Sequence, residues 1–175
     1  ALITTDAPVR PETLHSLLRS AVDQTFNRVT VDSDTSTNDT CIMFASGKAA
    51  PMLDPIDEGS DAYQELERAI YVVCEALARG IAADGEGSTK LVTVLVSGAA
   101  TPQDADTAAR AVANSPLVKT AVAGHDCNWG RVAAALGKCG VAFNQEDVDI
   151  DIMDIPVCRG GLTVPFDEDE ALRRF

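Results

Sequence analysis

Three stretches of this chain carry residue types that could do chemistry. The densest is Asp32-Ser33-Asp34-Thr35-Ser36-Thr37-Asn38-Asp39-Thr40, in which every side chain is a short carboxylate, hydroxyl or amide. Such side chains bond to nearby backbone and build fixed turns. The stretch therefore predicts a rigid polar platform, where a plain solvent loop would carry Gly, Pro or Lys. An ordered turn with no further role is the simpler reading of the same residues. A calcium loop is not expected, because the Gly turn and the distal bidentate Glu are missing. The second stretch is Asp84-Gly85-Glu86-Gly87-Ser88-Thr89-Lys90. Its two glycines let the backbone take paths a side chain would forbid, so Glu86 is presented by the loop and not buried by its neighbours. A presented carboxylate suits a cationic ligand group; a helix stop with a solvated Glu is the plainer alternative. The phosphate-cradling pattern of Gly, four residues, Gly-Lys-Ser/Thr is absent. The third is His125-Asp126, a pair whose side chains need not face each other because they are adjacent in sequence.

These residues need elements to hold them. Ala1–Thr5 reads as a short strand, stopped by Asp6-Ala7-Pro8. Pro11 suits a first helical position, and Leu14, Leu17, Leu18, Ala21 and Val22 recur at helical spacing, predicting a helix over about 11–26 with His15 on its polar side. Arg28–Val31 and Cys41–Ala45 read as two strands flanking the polar stretch, with Ala1–Thr5 a buried strand beside them. Gly47 to Gly59 reads as a loop. Ser60 can cap a helix from Asp61 to Ala83, with Leu66, Ile70, Val73, Leu77 and Ile81 as its core stripe and Cys74 as a core residue. Leu91–Val96 reads as a strand. Thr101, Pro102 and Asp104 start a helix ending near Ala113. Ser115-Pro116 reads as a break before a strand at Leu117–Val122. The polar turn Gly124–Gly130 leads into a helix over 129–138 closed by Gly140, with Trp129 as a packing anchor. Val148–Met153, Ile155–Cys158 and Leu162–Val164 read as a meander turning at Gly160-Gly161, and Asp167 opens a last helix. The mixture predicts one mixed α/β, α+β-like domain over 1–175.

The chain has 175 residues, 46% hydrophobic and 23% charged, enough for a sizeable core. Its formal net charge of −13 argues against nucleic acid and anionic membrane as partners. The five cysteines, Cys41, Cys74, Cys127, Cys139 and Cys158, are odd in number and form no CxxC pair, which predicts buried free thiols in a reducing cytoplasm. Cys127 lies near His125, but no second pair has zinc-ligand spacing, so no metal is expected. No apolar run approaches ~20 residues. The first residue is Ala, inside what reads as a strand, which suggests either processing ahead of it or an arbitrary boundary of the sequence.

Asn27-Arg28-Val29-Thr30-Val31 running into the polar stretch resembles the signature of the ornithine acetyltransferase (glutamate N-acetyltransferase) family. Three further matches follow in the family's order. Ala1-Leu2-Ile3-Thr4-Thr5-Asp6-Ala7 is similar to the segment just after the family's self-cleavage point, and Asp84–Lys90 is similar to its substrate loop. Asn114-Ser115-Pro116-Leu117-Val118-Lys119-Thr120-Ala121-Val122 and Asn128-Trp129-Gly130-Arg131 are similar to a later strand-loop-helix. The resemblance implies the C-terminal, β, chain of a self-cleaved enzyme whose helices pack outside two sheets and whose fold is completed by an α chain. It implies acetyl transfer from N-acetylornithine to glutamate through an N-terminal Thr, in arginine synthesis or a related secondary pathway. That Thr is expected about three residues ahead of Ala1, so no residue of this chain is the nucleophile, and Thr4 and Thr5 lie inside the strand. Of the family's functional residues only Glu86 is matched here, implied to bind the amino group of ornithine. No cofactor is implied beyond acetyl-CoA as a possible co-substrate, and the implied assembly is α2β2 or higher.

Two other functions fit parts of the sequence. Val29-Thr30-Val31-Asp32-x-Asp34 has the look of a haloacid dehalogenase-type phosphatase, with an apolar strand, a nucleophilic Asp and a second acid, and would need Mg²⁺. The Ser36-Thr37 that follows departs from that motif. A non-catalytic acidic domain is the other alternative.

Overall fold

The computed structural model describes residues 1–49 and 54–175. It contains two compact units, Ala1–Ser88 and Thr89–Phe175, each with a core of its own.

In the first unit the chain makes a strand, crosses over through a helix and returns as a parallel strand. β1 (Leu2–Thr5) pairs with β2 (Ile42–Ala45) in the register Leu2↔Ile42 through Thr5↔Ala45. The crossover carries α1 (Pro11–Gln24), which opens on Pro11 as its sequence predicts. α2 (Asp61–Ala83) has the predicted bounds, with Ser60 Oγ accepting the Tyr63 N–H at 3.2 Å. Ile3, Leu17, Ala21, Ile70 and Cys74 form the core, so the helices cover one face of the sheet. The other face is open: Ile3 is 7% exposed, its neighbour Leu2 68%. Ala1–Thr5 is thus a strand beside Cys41 as expected, buried on one face only. The loop expected over Gly47–Gly59 lies partly outside the described residues.

Arg28–Val31 is not a strand. The Thr25 hydroxyl donates to the Ala21 carbonyl at 2.7 Å, and a 3₁₀ turn over Phe26–Arg28 follows. In that turn Arg28 N–H bonds Thr25 O and Val29 N–H bonds Phe26 O, consuming groups a ladder would need. β2 therefore finds its partner in β1 and not across the polar loop.

The second unit holds four helices and a meander. α3 (Pro102–Ala113) starts where Thr101 accepts from the Asp104 N–H at 3.1 Å. Leu91–Val96, read as a strand, belongs to neither sheet of the described residues: Leu95 is 89% exposed, while Val94 packs on the core of Val112, Val118 and Ala135. Leu117–Val122 is a helix, α4 (Pro116–Ala123). Ser115 is its N-cap, accepting from the Val118 N–H at 3.4 Å, and Pro116 takes the first helical position. Ser-Pro marks a helix start here because proline's missing N–H costs nothing in a first turn. α5 (Trp129–Gly137) is capped by Asn128, and its Arg131 reaches Leu117 O and Thr120 Oγ1 of α4, each at 2.9 Å. β3 (Ile150–Ile152), β4 (Ile155–Arg159) and β5 (Leu162–Thr163) form the expected antiparallel meander, and α6 (Glu168–Arg174) is capped by Asp167. Ile150, Ile155, Val157 and Cys158 fill its core with Cys127 and Ala171. The fold is mixed α/β, with helices over two small sheets.

Candidate active site

The polar stretch is held by its own side chains, as its composition predicts. Asp34 N–H donates to Asp32 Oδ1 at 2.9 Å, Asn38 N–H to Ser36 Oγ at 3.3 Å, and Thr40 Oγ1 to Asn38 O at 3.1 Å. Ser36 Oγ donates in turn to Asn38 Oδ1 at 2.9 Å. These local bonds do the work of a ladder, so the loop has a fixed shape while every residue from Asp32 to Thr40 stays exposed.

The loop forms the polar rim of a cleft of about 840 Å³ at the N-terminal end of the parallel strands. Its apolar lining comes from Val22 in the last turn of α1, Phe26 in the 3₁₀ turn, Val29 and Val31 after it, and Ile81 in the last turn of α2. Ala1 and Cys41, the residues just ahead of β1 and β2, lie at the same end. Sequence reading missed Asn27, Val29 and Val31 as cleft residues by placing them at or in a strand. The signal was the apolar pair Val29 and Val31 directly ahead of an all-polar run.

Glu86 is exposed on the loop that leaves α2. Ser88 N–H closes a turn on Gly85 O at 2.9 Å, and Gly87 takes φ +72°. The last turn of α2 brings Ile81 to the cleft, but Glu86, beyond the helix end, is not among the residues that line it. Its carboxylate is presented by backbone geometry, as the two glycines predict.

The other candidates are occupied elsewhere. His125 stacks on Phe175 with ring centroids 5.5 Å apart, and Asp126 accepts from Asn128 Nδ2 at 2.9 Å, so the two do not form an acid–base pair. Asp32 is bound into its own loop with no strand before it, which removes the geometry a phosphatase nucleophile requires. The cysteines are free thiols. Burial pushes Cys74 and Cys127 up from the ordinary thiol range, with Cys41 and Asp126 respectively adding to it, which suits packing and not nucleophilic attack.

Comparison with known proteins bears on the family of the chain. The model of the ArgJ family matches residues 1–175. An arginine biosynthesis bifunctional protein ArgJ from Symbiobacterium thermophilum is 49% identical over 98% of the chain and 42% of its own length. The protein of the same name from Chlorobium chlorochromatii is 44% identical over 97% of the chain and 38% of its own length. The chain thus spans about two fifths of the curated relatives it matches. Among solved structures, the arginine biosynthesis bifunctional protein ArgJ of Bacillus halodurans superposes with a TM-score of 0.93 at 41% identity, covering 98% of this chain and 80% of that one. A family match over every residue, with relatives far above 30% identity along nearly the whole chain, means that this chain belongs to the ArgJ family.

Proposed function

We propose that this chain is most of the β chain of an ornithine acetyltransferase, which moves an acetyl group from N-acetylornithine to glutamate in arginine synthesis. The observation that carries the reading is the ArgJ match across 1–175, with relatives named as bifunctional proteins of arginine biosynthesis. The cleft at the N-terminal end of β1 supports it, since the strand leads there from the side on which the family's nucleophile is expected.

The chemistry is a ping-pong acyl transfer. Self-cleavage of the precursor exposes an N-terminal Thr on the β chain. The amine of that Thr takes the hydroxyl proton as Oγ attacks the acetyl carbonyl of N-acetylornithine. The amide C–N bond breaks, ornithine leaves with the proton, and an acetyl ester remains on Oγ. The amine of glutamate then attacks the ester, N-acetylglutamate departs, and Oγ regains a proton. The α chain supplies the donors that hold the oxyanion. Acetyl-CoA is a second candidate donor, and the assembly is α2β2 or larger, in the cytoplasm.

Glu86 is the ornithine anchor in this scheme. Its carboxylate meets the δ-ammonium of N-acetylornithine, a group glutamate lacks. A charged hydrogen bond is worth about 1.5–3 kcal/mol. Glu86→Gln in the complete two-chain enzyme is therefore expected to lower kcat/KM for N-acetylornithine roughly tenfold to a hundredfold. Self-cleavage, followed on a gel, should persist, because it does not use the substrate amine. An unchanged kcat/KM would return Glu86 to a solvated loop acid.

A further inference from the structure

We infer that the exposed apolar seam of α2 is a contact between two copies of this chain, their α2 helices packed antiparallel about a two-fold axis. α2 has three faces. Ile70, Cys74 and Ala78 are buried in their own unit. Asp61, Arg68 and Glu75 mark a polar face. The third face carries Ala62, Leu66, Ala69, Val73, Ala76 and Gly80, at alternating spacings of four and three along the sequence. That is the spacing of a coiled-coil seam, through which apolar residues meet a second helix. Leu66 is half-buried and the other five are exposed, Val73 at 43% and its neighbour Val72 at 55%. The seam is thus apolar and open along a helix of 23 residues, which is about 35 Å long.

The order of sizes and charges along α2 identifies the occupant. In an antiparallel pair the seam of one helix runs past the other in reverse. With Val73 set on the partner's Ala69, the same register brings Leu66 to the partner's Ala76 and Gly80 to the partner's Ala62. The central layers then set a larger side chain against a smaller one, as interdigitated packing needs. Alanine and glycine let the helix axes approach to about 8 Å. Beside the seam, toward the polar face, runs the column Glu65, Val72 and Arg79, spaced by seven and all exposed. In this register Glu65 stands opposite the partner's Arg79, Arg79 opposite the partner's Glu65, and Val72 opposite the partner's Val72. Charges that flank a seam set the choice and orientation of the partner. A parallel pair would leave Glu65 against the partner's Ile70, so only the antiparallel one matches both charges. The matching is reciprocal, as a two-fold interface requires, and a second copy supplies it without any further chain.

The test uses the full-length protein and reads its mass in solution, so it decides the interface whether or not the protein transfers acetyl. The parent is expected to hold this chain in pairs. Ala76→Arg drives a long charged side chain into the seam and should halve the mass. Glu65→Arg and Arg79→Glu each set like charges against one another across the axis. Each should weaken self-association, followed by dilution, about fivefold to tenfold. The double variant exchanges the charges and restores both pairs, so it should associate as the parent does. Val72→Cys, close to the axis, should react with a short bismaleimide to give a peptide joining residue 72 of two copies. A parent holding a single copy, or a paired one that Ala76→Arg leaves intact, overturns the interface. A Val72→Cys cross-link to a peptide outside α2 also overturns it, because another segment of the longer protein then fills the seam. If Ala76→Arg fails to fold, the exposed charge pair decides alone: a double variant no better than either single one rejects the antiparallel register.

Discussion

Gly87 and Gly161 share a backbone conformation, φ +72° and +73°, in opposite surroundings. A Cβ at Gly87 would meet nothing within 4 Å, and beside it Glu86 is held out on an exposed loop. A Cβ at Gly161 would overlap the carbonyl oxygen of Gln145, which packs against the turn between β4 and β5. The Gly161 N–H also bonds Val148 O at 2.8 Å, tying the turn to the chain that enters β3. The contrast extends to the cores. In the C-terminal unit Val157 and Cys158 sit 0% and 1% exposed inside a meander of neighbours in sequence. The N-terminal unit pairs strands forty positions apart, leaves one sheet face uncovered, and spends its polar loop on shaping a cleft. One region closes its turns on its own backbone; the other leaves them open and exposed.

The contrast predicts unequal costs for equal substitutions. Gly161→Ala meets the left-handed strain of about 1–2 kcal/mol and an overpacking cost of about 1–3 kcal/mol. A loss of about 2–5 kcal/mol is expected, read as a fall in the urea midpoint of unfolding. A loss below about 1 kcal/mol would show that the Gln145 segment yields, and that this turn is as open as the other. Gly87→Ala meets the strain, about 1–2 kcal/mol, partly offset by the lower chain entropy of alanine, about 0.4–1 kcal/mol. Its effect should appear more strongly in catalysis, because the same backbone angle aims Glu86. Under the ornithine-anchor role proposed for Glu86, kcat/KM for N-acetylornithine in the complete enzyme should fall further than that for acetyl-CoA, whose donor group has no amine for Glu86 to hold. Equal falls for both donors would make Gly87 a purely structural glycine.

The closed region was also the more legible in sequence. Its strands alternate, its turn is Gly160-Gly161, and its partners lie within a few residues, so period and punctuation were enough. The helices of both units were legible where a capping side chain preceded an apolar helical period, as at Ser60, or joined a proline and an early acid, as at Thr101. Failures came where two signals compete. Leu117–Val122 is β-branched enough to read as a strand, yet Ser115 and Pro116 together nucleate a helix. Val29 and Val31 alternate, yet the Thr25 hydroxyl bond and the 3₁₀ turn consume the local backbone first. The pairing of β1 with β2 is a long-range contact that no local period encodes. The candidate site was half legible: composition pointed to the ordered polar loop, and the flanking glycines pointed to the exposure of Glu86. The apolar lining was not visible, since Val22, Phe26 and Ile81 reach it from α1, the 3₁₀ turn and α2.

The smallest expected effect reverses the sign. β3 and β4 are joined by Met153-Asp154, both left-handed at φ +52° and +63°. Two successive positive φ values are the signature of a type I′ turn, which favours Asn-Gly, yet neither residue here is glycine. The closed region thus carries strain at one of its own turns, held in part by Arg174, whose Nη1 donates to Met153 O at 2.7 Å. Arg174 is itself fixed to Glu170, whose carboxyl Arg174 and then Arg173 hold below the ordinary carboxylate range. Asp154→Gly leaves that bond intact and removes the side chain at the second turn position. Relief of left-handed strain, about 1–2 kcal/mol at most and less for Asp, is offset by the extra chain entropy of glycine, roughly 0.5–1 kcal/mol. The net expectation is a gain of a few tenths to about 1 kcal/mol, seen as a higher urea midpoint with unchanged acetyl transfer. Glycine would then stabilise the β3–β4 turn while its removal destabilises the β4–β5 turn a few residues on. A measurable loss in Asp154→Gly would instead mean that the aspartate side chain supports the turn, and that strain there is compensated by the residue that suffers it.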